Sequence, residues 1–117
     1  MQLDKQHLLL LVHSGSRGLG EQILRQHVDR FGHAGLAQGR PESTAYLNQH
    51  ALALQYAEAN RQLIARRMLE RWRASGEQVL DIHHNLLCPA SIGGVEGWLH
   101  RKGATPADAG LVVIPGS

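Results

Sequence analysis

The apolar and polar residues in the first quarter of the chain predict a strand, a glycine-rich turn and a helix, in that order. The apolar run between His7 and His13 stops at a glycine and predicts a short buried strand. The segment Ser14–Gly20 is rich in glycine and predicts a tight turn. From Glu21 to Phe31 the apolar residues recur at roughly helical spacing, which predicts a helix.

The middle of the chain predicts one long helix. Pro41 begins this element, and Ser43 or Thr44 is a candidate N-cap. The helix is expected to extend to Arg73, because Ser75-Gly76 then stops it. Its predicted apolar stripe consists of Tyr56, Leu63, Ile64, Met68 and Trp72.

The remainder predicts three further strands, so the predicted fold class is α/β or α+β with a mixed sheet. These strands are Val79–Ile82, Val95–His100 and Leu111–Ile114. A proline and two adjacent glycines predict a loop over Cys88–Gly97, and Arg101–Gly110 predicts another. Few strands leave sheet edges without partners, and both ends of the chain look cut. The pattern therefore predicts that residues 1–117 are a fragment of a larger domain.

Composition narrows the class of protein. The chain is 43% hydrophobic, as globular proteins are, and its run Leu8–Val12 is far shorter than the roughly 20 residues of a membrane span. No secretory signal is recognisable, and Cys88 is the only cysteine, so we expect a cytoplasmic protein with no membrane partner. A net charge of +2 does not by itself indicate nucleic acid, whereas eight histidines hint at metal or phosphate chemistry.

The turn that follows His13 is a candidate phosphate site. Its glycines allow a ligand to approach the backbone closely, and free amides at the next helix N-terminus favour an anion. Arg17 adds a fork of donors that matches phosphate geometry. The glycine order fits neither the dinucleotide fingerprint nor a phosphate-binding loop ending in Gly-Lys-Ser/Thr. An ordinary strand-to-helix turn is the alternative.

The segment Asp81–Asn85, DIHHN, is a candidate metal site. Side chains alternate along a regular strand, so only one of His83 and His84 is expected to point into a site. His13 and His84 both follow predicted strands and are candidate ligands of one ion, but metal sites usually have three or four ligands. A polar strand end is the alternative.

These segments together closely resemble one family, the RtcB-type RNA ligases. The matching stretches are His13–Gly20 (HSGSRGLG), Tyr56-Ala57 with Asn60-Arg61, Asp81–Asn85 (DIHHN), Arg101–Thr105 (RKGAT) and Ile114–Ser117 (IPGS). RKGAT at a strand end is itself a candidate phosphate cradle, with plain solvated surface as the alternative. Each stretch is weak alone, but their order and spacing are very specific and cover nearly the whole chain.

The resemblance implies a ligase that depends on GTP and Mn²⁺. In the family a histidine attacks GTP, and the resulting guanylate passes to an RNA 3′-phosphate, or to one opened from a 2′,3′-cyclic phosphate. The RNA 5′-hydroxyl then displaces GMP, which joins tRNA halves or broken RNA. The accessory protein that assists is not identified by the sequence. Imidazole ligands suit Zn, Fe or Ni better than Mn, so the Mn²⁺ assignment rests on the resemblance alone.

The resemblance also carries roles onto particular residues. His13 and His84 become ligands of one metal ion, and His84 and Asn85 lie against the guanylate. Arg17 and Lys102 face phosphates of the nucleotide or the RNA. The start of a guanylate-binding turn is formed by Pro115, Gly116 and Ser117.

The other matching or notable residues receive no catalytic role. Asn60 and Arg61 match the family and are expected to form a structural pair on the helix. The roles of His83 and His100 stay open. The histidines that match no functional position and are expected at the surface are His7, His27, His33 and His50.

The chain departs from the family pattern at both ends. The metal-binding Asp, Cys and Gly-Asn-His motifs of the family do not precede His13, and Cys88 is not the metal cysteine. The nucleophilic histidine of the family lies in a His-Gly-Ala-Gly-Arg motif beyond Ser117. The resemblance therefore implies a partial catalytic domain that contains no nucleophile and is inactive alone. The alternative is a non-catalytic phosphate- or RNA-binding remnant.

Overall fold

A computed structural model describes residues 5–108 and 110–114 and contains two helices followed by two strands. The helices are α1, Leu19–Phe31, and α2, Pro41–Trp72. The strands are β1, Asn85–Ile92, and β2, Val95–Lys102, and they form an antiparallel pair. This arrangement confirms the α+β alternative. The expected mixed sheet is wrong for the described residues, which contain a single antiparallel pair.

Helix α1 begins at a turn built from Ser16. The Ser16 carbonyl accepts the Leu19 N–H at 3.2 Å, and its Oγ accepts the Gly20 N–H at 3.1 Å. Arg17 and Gly18 between them have φ of 57° and 96°, the left-handed region that glycine adopts freely and arginine rarely does. The expected helix is confirmed and starts two residues earlier than predicted. The expected free amides are wrong at two positions, because Ser16 already engages those of Leu19 and Gly20.

Helix α2 begins without a side-chain cap. Pro41 occupies the first turn, where its fixed φ suits a helix and its missing N–H costs no hydrogen bond. The predicted cap by Ser43 or Thr44 is wrong, because both hydroxyls donate to the Arg40 carbonyl from inside the first turn, at 2.8 and 3.3 Å. The helix ends at Trp72, and its C-cap Arg73, with a φ of 54°, turns the chain away before Ser75-Gly76.

The hairpin occupies a segment predicted mainly as a loop. Gly93 and Gly94 connect β1 to β2 with φ of 59° and 80°, and two positive φ values suit the tight two-residue turns that join antiparallel strands. Pro89 is accommodated because, among the described residues, β1 pairs only with β2, and an edge strand tolerates a residue without an N–H. The loop predicted over Cys88–Gly97 is therefore wrong, whereas the strand predicted over Val95–His100 is confirmed and extends to Lys102.

Three predicted strands are irregular in the structure. They are His7–His13, Val79–Ile82 and Leu111–Ile114. A strand is defined by its ladder, and none of these apolar runs has a partner strand among the described residues. Leu8 is fully exposed as a result. The apolar residues indicate that these segments are buried by other parts of a fold. They do not specify the neighbouring strand that each segment needs in order to form a strand.

The core of the described chain lies where α1 and β1 each meet α2. Its buried apolar residues are Ile23, 7% exposed, and Ala57, 5% exposed. The apolar stripe predicted on α2 is wrong in part, since Tyr56, Met68 and Trp72 lie exposed. Among residues 5–108 and 110–114, no helix has a stretch that is long and apolar enough to cross a membrane.

Candidate functional site

The glycine turn after His13 is held against the middle of α2. Asn60 donates its Nδ2 to Ser14 Oγ at 2.8 Å and to the Gly15 carbonyl at 3.2 Å. Arg61, the next residue of the helix, donates Nη1 to the Ser14 carbonyl at 3.2 Å. Two backbone carbonyls and the Ser14 hydroxyl, directly after His13, thus accept three hydrogen bonds from two adjacent helical residues.

The same arginine also holds the segment that carries the second histidine. Arg61 Nε donates to Asp81 Oδ1 at 2.7 Å, and Nη2 lies 2.5 Å from the same oxygen. Both side chains are largely buried, at 14% and 16% exposed, so the ion pair is poorly screened by water. Asp81 precedes His84 by three residues, so one guanidinium connects both histidine-bearing segments to α2.

His13 and His84 face each other through their Nε2 atoms. These atoms are 3.3 Å apart, and the ring centroids are 5.2 Å apart with the planes tilted by 58°. Two nitrogens that each lie about 2.1 Å from one ion are roughly 3.0 Å apart at a right angle and roughly 3.4 Å apart at a tetrahedral angle. The observed separation falls within this range, so the pair fits two positions of one metal ion.

No third side chain completes this pair in residues 5–108 and 110–114. That part of the chain contains no group of three His, Cys, Asp or Glu residues placed to hold an ion. The donor set consists of two neutral imidazoles, which by themselves suit Zn, Fe or Ni at least as well as Mn.

His84 and Asn85 are tied to the far end of β2. The Ala104 N–H donates to the His84 carbonyl at 3.0 Å, and the Gly103 N–H donates to Asn85 Oδ1 at 2.7 Å. Lys102 lies opposite Asn85 in the strand register and is exposed. The structure thus brings the DIHHN and RKGAT segments together. Gly103 engages the side-chain oxygen of Asn85.

Arg17 lies four residues beyond His13 at the tip of the glycine turn, with its side chain exposed. It precedes α1, whose partial positive N-terminus adds to the positive potential there. Pro115, Gly116 and Ser117, the predicted guanylate-binding turn, lie outside the described residues.

His83 and His84 face different surroundings although they are adjacent. Burial lowers the pKa of His83 below its ordinary value, and the charge of Arg61 lowers it further, while Asp81 and Glu58 oppose this. Side chains alternate only along a strand, and β1 begins at Asn85, after both histidines. Irregular backbone separates the two imidazoles instead.

Two histidines expected at the surface are partly buried, so that expectation is wrong for them. His50 on α2 accepts the Leu87 N–H of β1 at Nε2, at 3.1 Å. Burial lowers the pKa of His50, and the imidazoles of His100 and His83 add to the effect. His27 on α1 packs between the rings of Phe31 and Tyr46.

A separate groove of about 540 Å³ lies between the helices and the hairpin. It is lined mainly by aromatic and leucine side chains, among them His27, Tyr46 and Trp98. None of the predicted site residues within 5–108 and 110–114 lines it.

The motifs predict the two facing histidines and a structural role for Asn60 and Arg61, but they do not identify which groups Asn60 and Arg61 contact. Asp81 is predicted only as part of the DIHHN segment. The available signal was an isolated acid three residues before His84 and an Arg-Asn pair on a long helix. Which side chains meet depended on how α2 packs, and a linear pattern does not contain that information.

Comparison with known proteins links this chain to one family. The family model described as tRNA-splicing ligase RtcB matches residues 1–117. An RNA-splicing ligase RtcB2 of Escherichia coli is 55% identical over 115 residues. A tRNA-splicing ligase RtcB of Methanopyrus kandleri is 31% identical over 138 residues, and an RNA-splicing ligase RtcB of Mycobacterium bovis is 34% identical over 128.

The chain spans only part of these relatives. The match to the Escherichia coli protein covers 98% of this chain and 30% of that protein. The matches to the Methanopyrus kandleri and Mycobacterium bovis proteins cover 89% and 90% of this chain, and 14% and 29% of those proteins. No solved structure matches the chain.

Proposed function

Because this chain belongs to the RtcB family of tRNA-splicing ligases, we propose that it supplies part of the active site of an RNA ligase. The complete ligase joins an RNA 3′-phosphate, or one opened from a 2′,3′-cyclic phosphate, to a 5′-hydroxyl at the expense of GTP. The observation that carries the proposal is the pair of Nε2 atoms 3.3 Å apart on His13 and His84. These residues come from two of the motifs that resemble the family.

His13 and His84 would hold one divalent ion, Mn²⁺ by analogy with the family. When bound, the ion supplies positive charge that stabilises negative charge developing on phosphate oxygens. Each imidazole would bind the ion through an Nε2 atom that carries no proton.

The other site residues would recognise phosphate and guanylate. Arg17 presents a planar fork of donors at an open turn, and Lys102 presents a point charge at the end of β2. The Asn85 amide nitrogen would donate to the guanylate, because its oxygen is engaged with Gly103. Pro115, Gly116 and Ser117 would contribute a guanylate-binding turn.

The proposed reaction has three displacements. A histidine attacks the α-phosphorus of GTP, and pyrophosphate leaves. An oxygen of the RNA 3′-phosphate attacks the same phosphorus and the histidine leaves, and the RNA 5′-hydroxyl then attacks the 3′-phosphorus and expels GMP. We assign the attacking histidine to none of the residues in this chain. Their work is to bind, orient and neutralise the phosphates.

The test compares His84→Ala with His83→Ala in the complete ligase. Both substitutions remove an imidazole from the same segment, but only His84 faces His13. We expect His84→Ala to abolish Mn²⁺ binding at this position and RNA joining, and His83→Ala to retain Mn²⁺ binding. Bound Mn²⁺ is measured by its electron paramagnetic resonance signal, and joining with a 3′-phosphate and a 5′-hydroxyl RNA.

Equal loss of Mn²⁺ in the two variants would refute the assignment of His84. If wild-type protein binds RNA ends but is never guanylylated by GTP, a non-catalytic phosphate-binding role replaces the ligase proposal.

A further inference from the structure

We propose that Arg61 is a positioning residue that sets the spacing of the two facing histidines, His13 and His84. This inference rests on the proposed metal-binding function. It extends that function to a residue of α2 that forms no hydrogen bond or ion pair with either imidazole among the described residues. A single guanidinium joins two segments separated by 67 residues of chain, from Ser14 to Asp81.

The geometry gives each arm of Arg61 a separate task. Nη1 donates to the Ser14 carbonyl, directly after His13, while Nε donates to Asp81 Oδ1, three residues before His84, and Nη2 lies within ion-pair distance of the same oxygen. The neighbouring Asn60 reinforces the first arm through Ser14 Oγ and the Gly15 carbonyl. Neither histidine lies in a helix or strand, so these contacts, rather than regular secondary structure, fix the positions of the two histidines.

The segments need such a tie because little else holds them. His13 is exposed and follows an irregular apolar run, and the backbone from Ala74 to His84 is irregular as well. The His84 end has a second anchor at Ala104, but the His13 end is fixed to α2 through Asn60 and Arg61. A change in Arg61 should therefore alter the Nε2–Nε2 separation mainly by releasing His13.

Electrostatics alone predicts that removing Arg61 strengthens cation binding, which is the opposite of what a positioning role predicts. Arg61 is a cation, so its removal would reduce repulsion of a divalent ion and leave the Asp81 carboxylate uncompensated. Both effects would strengthen cation binding. A positioning role predicts weaker binding, because the two imidazoles no longer present their nitrogens together. Loss of a supporting contact of this kind typically lowers metal affinity by about 10–100-fold.

The experiment titrates the chain with Mn²⁺ alone and follows the broadening of its histidine ring signals by nuclear magnetic resonance. This probe detects weak binding, so a site with only two ligands in the chain is measurable. We expect the His13 and His84 signals of the wild type to broaden together. In Arg61→Gln that joint broadening should need about tenfold more Mn²⁺ or more. Arg66→Gln is the matched control, because Arg66 lies on the same helix in an exposed ion pair with Glu70.

Folding of each variant is checked by circular dichroism and by the unchanged signals of the hairpin. Should Arg61→Gln fail to fold, Arg61→Lys takes its place, since lysine retains one contact with Asp81 but lacks the second arm to Ser14. A folded Arg61 variant that binds Mn²⁺ as tightly as the wild type, or more tightly, overturns the positioning role. The proposed metal site itself fails by a separate result, namely unchanged broadening of His84 in His13→Ala.

Discussion

At the scale of single residues, several candidate site residues have an unusual backbone conformation or lie outside regular structure. Arg17 has a positive φ, and His13 and His84 stand in segments without regular structure. Holding a non-glycine residue in the left-handed region costs of order 1 kcal/mol, and such residues cluster at functional sites, whereas Arg73 adopts the same conformation as the C-cap of α2. The polar contacts of Asn60 and Arg61 stabilise this arrangement from α2.

Arg17→Lys tests whether the turn binds phosphate through a fork of donors. Both residues carry one positive charge and pay a similar backbone cost, so the comparison isolates the geometry of the guanidinium. We expect RNA joining by the complete ligase to fall about tenfold or more, on the order of 1.5–3 kcal/mol for one charged hydrogen bond. Initial ligation rates at saturating GTP measure the effect.

The control for this prediction is Arg25→Lys, an exposed arginine on α1 that pairs with Glu21. It should leave the rate unchanged. A wild-type rate for Arg17→Lys would mean that charge alone suffices at the turn, or that Arg17 lies away from the phosphates.

The sequence identifies the candidate site residues but not the side chains that contact and hold them. Motif order brought His13 and His84 to attention, and the structure places their Nε2 atoms within 3.3 Å. Their metal role stays a prediction. The reasoning about His83 used strand alternation, although no strand is present there. Partners such as Asp81 became visible only through the packing of α2, because a salt bridge between residues 61 and 81 has no periodic signature.

At the scale of elements, the helices were predictable and the hairpin was not. Helical spacing gives α1 to within two residues at each end and the C-terminal end of α2 to within one, and Pro41 is the first residue of α2. The predicted cap at Ser43 or Thr44, however, lies three or four residues beyond the observed N-cap, Arg40. The hairpin was misread because Pro89 and two glycines suggest a loop. An adjacent glycine pair between two apolar segments also indicates a tight strand connection, and only pairing distinguishes the two.

Gly94→Ala should destabilise the hairpin through backbone conformation alone. Gly94 has a φ of 80°, and a Cβ added there would meet no atom within 4 Å, so steric overlap with neighbours is not the cause. We expect a loss of about 1 kcal/mol in the free energy of unfolding, the cost of forcing an L-residue into the left-handed region. Chemical denaturation followed by circular dichroism measures it.

Gly97→Ala is the matched control, because its Cβ also meets open space but its backbone lies within β2. It should be neutral or slightly stabilising, since a strand glycine loses more conformational freedom on folding than alanine. Equal losses in the two variants would show that the sign of φ at the turn does not control hairpin stability.

The contact between α2 and β1 should make folding sensitive to pH through His50. Its Nε2 accepts the Leu87 N–H, and burial lowers its pKa in the folded state. The unfolded chain then binds more protons than the folded chain near the ordinary histidine pKa. Stability should therefore be fully present above about pH 6.5 and should fall as the pH drops through the lowered folded pKa.

His50→Gln retains an acceptor for the Leu87 N–H but does not titrate. Its denaturation midpoint should change less between pH 7.5 and pH 5 than that of the wild type. His33→Gln, at an exposed loop position, should retain the wild-type pH dependence. If His50→Gln shows the full wild-type dependence, another group is responsible.

At the scale of the whole molecule, the described chain buries few large apolar side chains. Ile23 and Ala57 are its buried apolar residues, whereas Leu8, Trp72 and Ile114 lie more than half exposed. The sequence indicated this from strands without partners. It could not predict which segments stay irregular, because strand formation depends on a neighbouring strand as well as on local residues.

The last prediction is that the 117-residue chain by itself forms no guanylylated protein. Its two facing imidazoles are neutral ligands, and no acidic side chain joins them among residues 5–108 and 110–114, so an ion should be held weakly. The resemblance to the family places the attacking histidine in a motif that this sequence does not contain. His100 is the nearest alternative along the chain, but it lies in β2, where it pairs with Leu87 of β1. The purified chain is incubated with Mn²⁺ and GTP labelled at the α-phosphate, and acid-labile label on the protein is measured. We expect none, and stoichiometric label that disappears in His100→Ala would instead make this chain a minimal guanylyl-accepting enzyme.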